Sequence, residues 1–216
     1  MRDFATLFDL DGVVFNTENH YTQFWTEIGK KYFPEKKDFA SIIKGHSLSD
    51  ILKDNFSAYK QDWEQIENSL YEMEKNMNCP FIDGVEDFIE LIHKEKIPIC
   101  LVTSSDEIKM KTVLNSLPKM KDYFPQMVIA SDIKRAKPSP DCYLLGAKKC
   151  NTPVNRCIVF EDSLAGIQAG KSAGMKVIGL STTNSKEVLQ GKVDMIIPDF
   201  KTLTLKDIED VLNLNV

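Results

Sequence analysis

The chain has 216 residues, 43% hydrophobic and 27% charged, with a formal net charge of -5. That balance describes a globular protein and excludes a disordered one. The acidic excess argues against nucleic acid or an anionic membrane surface as partner and leaves small molecules. The opening "MRDFATLFDLDG" carries acidic residues where a secretory signal needs an unbroken apolar stretch, and no run approaches membrane-spanning length. A cytoplasmic chain is expected, as a monomer or small homo-oligomer. The five cysteines, at 79, 100, 142, 150 and 157, lack CxxC spacing. They read as reduced, mostly buried residues, with neither a disulfide framework nor a zinc site.

In chain order, the first apolar run, "FATLF", ends at Asp9, with Asp11 and Gly12 just behind it. Between Asp11 and the next apolar run the chain far exceeds the about 10–12 residues that a strand-helix-strand crossover needs, which predicts an inserted module. Within it, "TQFWTEIGKKYF", "SLSDILKDNFSAY" and "YKQDWEQIENSLYEMEKNM" read as helices. In the last, Trp63, Ile66, Leu70, Met73 and Met77 recur at steps of three and four, a packing stripe. The reading is a helical cap over 18–79, set into a core formed by 1–17 and 80–216.

The second run, "IPICLV", precedes Thr103 and a helix whose start reads as a capping box from Ser104 to Glu107. "QMVIA" precedes Ser131, with Lys137 a little further on and Pro140 at a helix entry. "CIVF" leads to Glu161 and Asp162, then to a helix from Ser163, rich in small residues and ending near Gly174. "KVIGL" and "DMII" complete six runs, and "LKDIEDVLNLNV" reads as a closing helix. Because the runs are apolar throughout, they fit strands buried on both faces. The fold class is α/β, a doubly wound, mostly parallel sheet with an inserted α-helical cap. His93 is expected to interact with the last carbonyls of its helix, and His20 to lie on the surface.

Ligands bind such a sheet at the carboxyl ends of its strands. There the sequence gathers Asp9, Asp11, Thr103, Ser104, Lys137, Glu161 and Asp162. Four converging carboxylates resist joint ionisation unless a cation neutralises them, and an all-oxygen donor set suits Mg2+. Lys137 and the Thr103 hydroxyl suit phosphoryl oxygens. A carboxylate can attack phosphorus, and a second one two residues on can carry the proton.

"DLDGVVFNT", "LVTSS", "KPSPD" and "FEDSLAGIQAG" resemble, in order, the four motifs of the haloacid dehalogenase-like (HAD) hydrolase superfamily. The chain is most similar to the branch with a helical cap after the first motif, which includes β-phosphoglucomutase and many small-metabolite phosphatases. The resemblance implies a Rossmann-like HAD core in which Asp9 is the nucleophile and Asp11 the general acid and base. It implies that Asp11 lends its backbone carbonyl to Mg2+, that Asp9, Glu161 and Asp162 complete the metal site, and that Thr103, Ser104 and Lys137 bind phosphate. Lys44, Gly45 and His46 in the cap loop, with Tyr21, fall where substrate contacts are expected. Leu48 stands where the mutase branch has an arginine for a second phosphate, and Tyr21 where it has a histidine. Lys44 or His46 would replace the arginine only in part. The expected function is therefore a magnesium-dependent phosphatase for a small phosphorylated metabolite, with sugar phosphates the leading class. A phosphosugar mutase, a pyrophosphatase and a non-catalytic phospho-acceptor or binding protein are the alternatives.

Overall fold

The computed structural model describes residues 3–214. Six parallel strands, β1 (Ala5–Phe8), β2 (Ile99–Val102), β3 (Gln126–Val128), β4 (Cys157–Glu161), β5 (Lys176–Leu180) and β6 (Met195–Ile197), lie in the order β3-β2-β1-β4-β5-β6. They coincide with the six apolar runs. β1, β2 and β4 are buried at every residue, whereas β3 and β6, at the edges, are not. After β3 the chain crosses to the other side of β1, so the strand order reverses beside β1 and a crevice opens at its carboxyl end.

Helices α1 (Glu18–Tyr32), α2 (Phe39–Ile42), α3 (Leu48–Asn55) and α4 (Trp63–Asn76) occupy the insertion, and α5 (Val85–Lys94), α6 (Glu107–Ser116), α7 (Met120–Tyr123), α8 (Asp141–Lys149), α9 (Leu164–Ser172), α10 (Lys186–Leu189) and α11 (Leu205–Val211) follow it. The last two residues of the expected closing helix lie outside the described residues. Alternation along β1 sends Phe4 and Phe8 to one sheet face and Ala5 and Leu7 to the other, each into its own apolar cluster. On the first face Phe8 stacks on Phe160 with ring centroids 4.5 Å apart. The inserted cap has a separate core, with Phe33, Phe39, Phe56 and Ile66 at its centre. Among the described residues no helix is long and apolar enough to cross a membrane.

Three local expectations change. α6 is capped by Asp106, whose side chain accepts from Lys109 N, because the Ser104 hydroxyl is engaged elsewhere. Met77 falls past the end of α4 in extended backbone and leaves the packing stripe. His93 donates from Nε2 to Tyr123 O at 2.9 Å, a carbonyl of α7 and not of its own helix. The five cysteines are free and four of them are buried.

Candidate active site

β1 ends one residue before Asp9, whose N–H still bonds Phe160 O at 3.0 Å and so fixes its place beside β4. The chain then doubles back, with Gly12 N donating to Phe15 O at 2.7 Å. Gly12 has φ +76°, and a Cβ there would overlap the Asp162 carboxylate, so only glycine fits the turn. The Lys137 ammonium reaches both Asp9 Oδ1 and Glu161 Oε1 at 2.6 Å and also Val102 O at 3.3 Å. Lys137 precedes a cis bond to Pro138 and is only 3% exposed.

Glu161, the last residue of β4, has no exposed surface, and its oxygens are occupied. Oε1 also accepts from Tyr143 OH at 2.8 Å, and Oε2 accepts from the N–H groups of Asp162 and Ser163 and from Ser163 Oγ, each at 3.0 Å. Asp162 bonds the Thr183 hydroxyl through Oδ2, and its carbonyl takes Asn184 Nδ2 at 2.8 Å.

Oxygens of Asp9, Glu161 and Asp162 lie within 4.8 Å of one another. Burial lifts the Asp9 carboxyl to about 7, outweighing the Lys137 charge, and burial with the Glu161 charge raises Asp162 well above the usual carboxylate range. Burial disfavours the Lys137 ammonium, but Asp9 and Glu161 more than compensate and its pKa is raised. The one ammonium pairs with Asp9 and Glu161 and not with Asp162, so the three buried carboxyl groups are short of positive charge.

Asp11 lies above this floor. Its Oδ1 accepts from Thr17 Oγ1 at 2.7 Å, and its Oδ2 pairs with the Lys109 ammonium and lies 3.5 Å from Ser105 Oγ. Lys109 is buried at the start of α6 with the Tyr21 ring 4.6 Å from its Nζ. Thr103 Oγ1 donates to Ser105 Oγ at 2.9 Å and accepts from Ser105 N at 3.0 Å, which shapes the loop after β2.

Several contacts join the cap to the core. Ser104 Oγ donates to Gly45 O at 3.1 Å, Tyr71 OH donates to Asp106 Oδ2 at 2.8 Å, and Tyr21 covers Lys109. Gly45 has φ +80°, and a Cβ there would lie 2.8 Å from Ser163 Cβ. Tyr21 OH donates to Glu74 Oε1 at 2.8 Å. Burial raises the Glu74 carboxyl.

One cavity of about 230 Å³ gathers Asp9, Asp11, Thr103, Ser104, Lys137 and Asp162 on the core side and Tyr21, Lys44, Gly45 and His46 on the cap side. Glu161 supports that wall from behind. Lys44 is committed to Glu18 at 2.9 Å, and His46 Nδ1 lies 3.2 Å from Ile43 O. Sequence reasoning missed Lys109, Tyr143, Thr183 and the cap residues Glu67, Tyr71 and Glu74. On α4, Glu67, Leu70, Tyr71 and Glu74 all line the cavity, and their spacing of three, four and seven is a helix face that the sequence displays. Lys109 carries no such signal.

The chain is 28% identical over 214 residues to the phosphorylated carbohydrates phosphatase of Thermotoga maritima, an alignment covering 94% of this chain and 99% of the relative. Its fold matches that of a HAD hydrolase, family IA, variant 3, from Entamoeba histolytica, with a TM-score of 0.83, 25% identity and coverage of 97% and 99%. It also matches that of β-phosphoglucomutase from Clostridium difficile, with a TM-score of 0.79, 26% identity and coverage of 98% of both chains. A family model for haloacid dehalogenase-like hydrolase matches residues 6–180, across the strands and loops that build the cavity, and the chain belongs to that family.

Proposed function

We propose that the protein is a magnesium-dependent phosphatase that hydrolyses a small phosphorylated metabolite through an aspartyl-phosphate. The observation that carries this reading is the buried set of Asp9, Lys137, Glu161 and Asp162 at the floor of a cavity between the core and the inserted helices, with Asp11 above it. The donors fit Mg2+, since they are all hard oxygens and their charge exceeds what Lys137 neutralises. Asp9, Asp162 and the Asp11 backbone carbonyl would hold the ion, while Glu161, its oxygens already taken by five donors, orients Lys137 and the Asp162 backbone. When bound, the ion supplies positive charge to the transferring phosphoryl oxygens.

An Asp9 oxygen attacks phosphorus, the bond from phosphorus to the leaving oxygen breaks, and Asp11 delivers a proton to that oxygen. Asp11 then takes a proton from water as it attacks the aspartyl-phosphate, which frees inorganic phosphate and restores Asp9. Thr103 and Lys137 steady the phosphoryl group, aided by N–H groups of the Ser104 loop. Residues 18–79 form the cap that keeps bulk water out while the leaving group occupies the chamber. Leu48 offers no guanidinium for a second phosphate, which favours hydrolysis over mutase chemistry. The phosphatase name of the Thermotoga maritima relative supports the same reading.

The test is phosphate release from a panel of sugar phosphates, nucleotides and pyrophosphate with Mg2+, beside a glucose 1-phosphate isomerisation assay. Release from sugar monophosphates that exceeds isomerisation is expected, and the reverse ranking would overturn the assignment.

A further inference from the structure

Every lysine on the cavity wall already has an acidic partner. Lys137 serves Asp9 and Glu161, Lys109 serves Asp11, and Lys44 serves Glu18. The carboxylates of α4 are not matched in this way. Glu67 and Glu74 line the cavity, and among the described residues neither has a contact ion pair; Glu74 accepts a hydrogen bond from Tyr21 OH and feels the charge of Lys109, which Asp11 already holds, and Glu67 is half-buried. Beside them Trp25, Ile43 and Ile51 supply an apolar wall. The roof thus pairs a surface for a hydrocarbon ring face with acceptors and negative charge, and it has no cation to spare.

A second anion on the substrate would enter this chamber against Glu67, which has no cation, and Glu74, which shares Lys109 with Asp11, with every nearby ammonium already engaged. A hydroxyl would find an acceptor, and an ammonium would find an acceptor and an opposite charge. We propose that the cavity selects phosphomonoesters by the charge of the leaving group, with an amine-bearing polyol preferred to a neutral polyol and both preferred to an acid or a second phosphate. Glu67 and Glu74 are the residues that read this difference. The inference rests on the chamber being the leaving-group site of the proposed phosphatase.

Binding separates it from turnover. Calorimetry on Asp9→Asn with Mg2+ would compare an aminohexose 6-phosphate, the parent hexose 6-phosphate, the corresponding 6-phosphoaldonate and the hexose 1,6-bisphosphate. Affinity should fall in that order, with the amine about tenfold or more tighter than either competitor that carries a second anionic group, a difference of about 1.4 kcal/mol. Glu67→Gln and Glu74→Gln should each shrink that ratio at least threefold. Glu67 is half-buried on the surface of α4, so its variant keeps the test open if Glu74→Gln fails to fold. A flat or inverted series, a ratio unchanged in Glu67→Gln, or no binding by any of the four would overturn the proposal. If the series holds while the wild type releases no phosphate, the phosphatase assignment fails and the charge selection stands.

Discussion

The floor of the cavity and its roof hold their polar groups in different ways. At the floor, Asp9, Lys137, Glu161 and Asp162 are each at least nine-tenths buried, and Lys137 alone joins residues at the ends of β1, β2 and β4. At the roof, Tyr21, Glu67 and Tyr71 on α1 and α4 and Lys44 in the loop before α3 are half-buried and belong to a unit with a separate core, reaching the sheet domain through a few side-chain contacts. A group that must hold reacting atoms in place gains from strand ends locked by a shared network. A group that only chooses the leaving group can change without disturbing that network.

Replacing the proposed nucleophile is the strongest test of the floor. Asp9→Asn should lower kcat by about 10⁴-fold or more while circular dichroism and the thermal transition stay native-like; near-normal steady-state turnover would remove the floor from the chemistry. Lys137→Met should destabilise the metal-free protein by about 3–5 kcal/mol in urea unfolding, because it strands Asp9 and Glu161 without their buried cation. A loss below about 1 kcal/mol would show that the network is not shared in the way the distances imply.

The third test concerns charge. Since the Asp9 carboxyl is held at about 7, it is protonated at lower pH, and Mg2+ must displace that proton. Apparent Mg2+ affinity should rise at least about tenfold per pH unit below that point, since Asp162 is raised as well, with proton uptake by the buffer on binding. Constant affinity between pH 5 and 7 would contradict it. The smallest effect belongs to the roof: Tyr71→Phe removes one hydrogen bond to Asp106, costing about 1 kcal/mol, and should raise KM about fivefold with little change in kcat. A drop in kcat as large as that of Asp9→Asn would erase the distinction between the two regions.

This division also governs what could be read from the chain alone. Strands buried on both faces must be apolar throughout, so the six runs stood out, and the polar residues at their ends marked the crevice. Asp9, Thr103, Lys137 and Asp162 could be found because backbone topology brings strand ends together whatever the side chains do. Tyr143 and Thr183 could not, since each is a partner chosen by three-dimensional proximity to Glu161 or Asp162. Ser104 misled for a related reason. As a serine three residues before Glu107 it fits a capping box, but its hydroxyl goes to Gly45 O across the seam and leaves the cap to Asp106. On α4 the packing stripe is the evident pattern, while Glu67, Tyr71 and Glu74 beside it look like an ordinary solvated face until the core is set against them.

The two oxygens of Asp106 divide their work. Oδ1 accepts from Lys109 N and closes the first turn of α6, while Oδ2 accepts from Tyr71 OH on the cap. A cap swung away would break only the second of these bonds and leave the first turn, and with it the backbone of Lys109, fastened. An opening of the seam would therefore leave intact the helix that carries the ammonium facing Asp11, and a returning cap would meet the same anchored landing point.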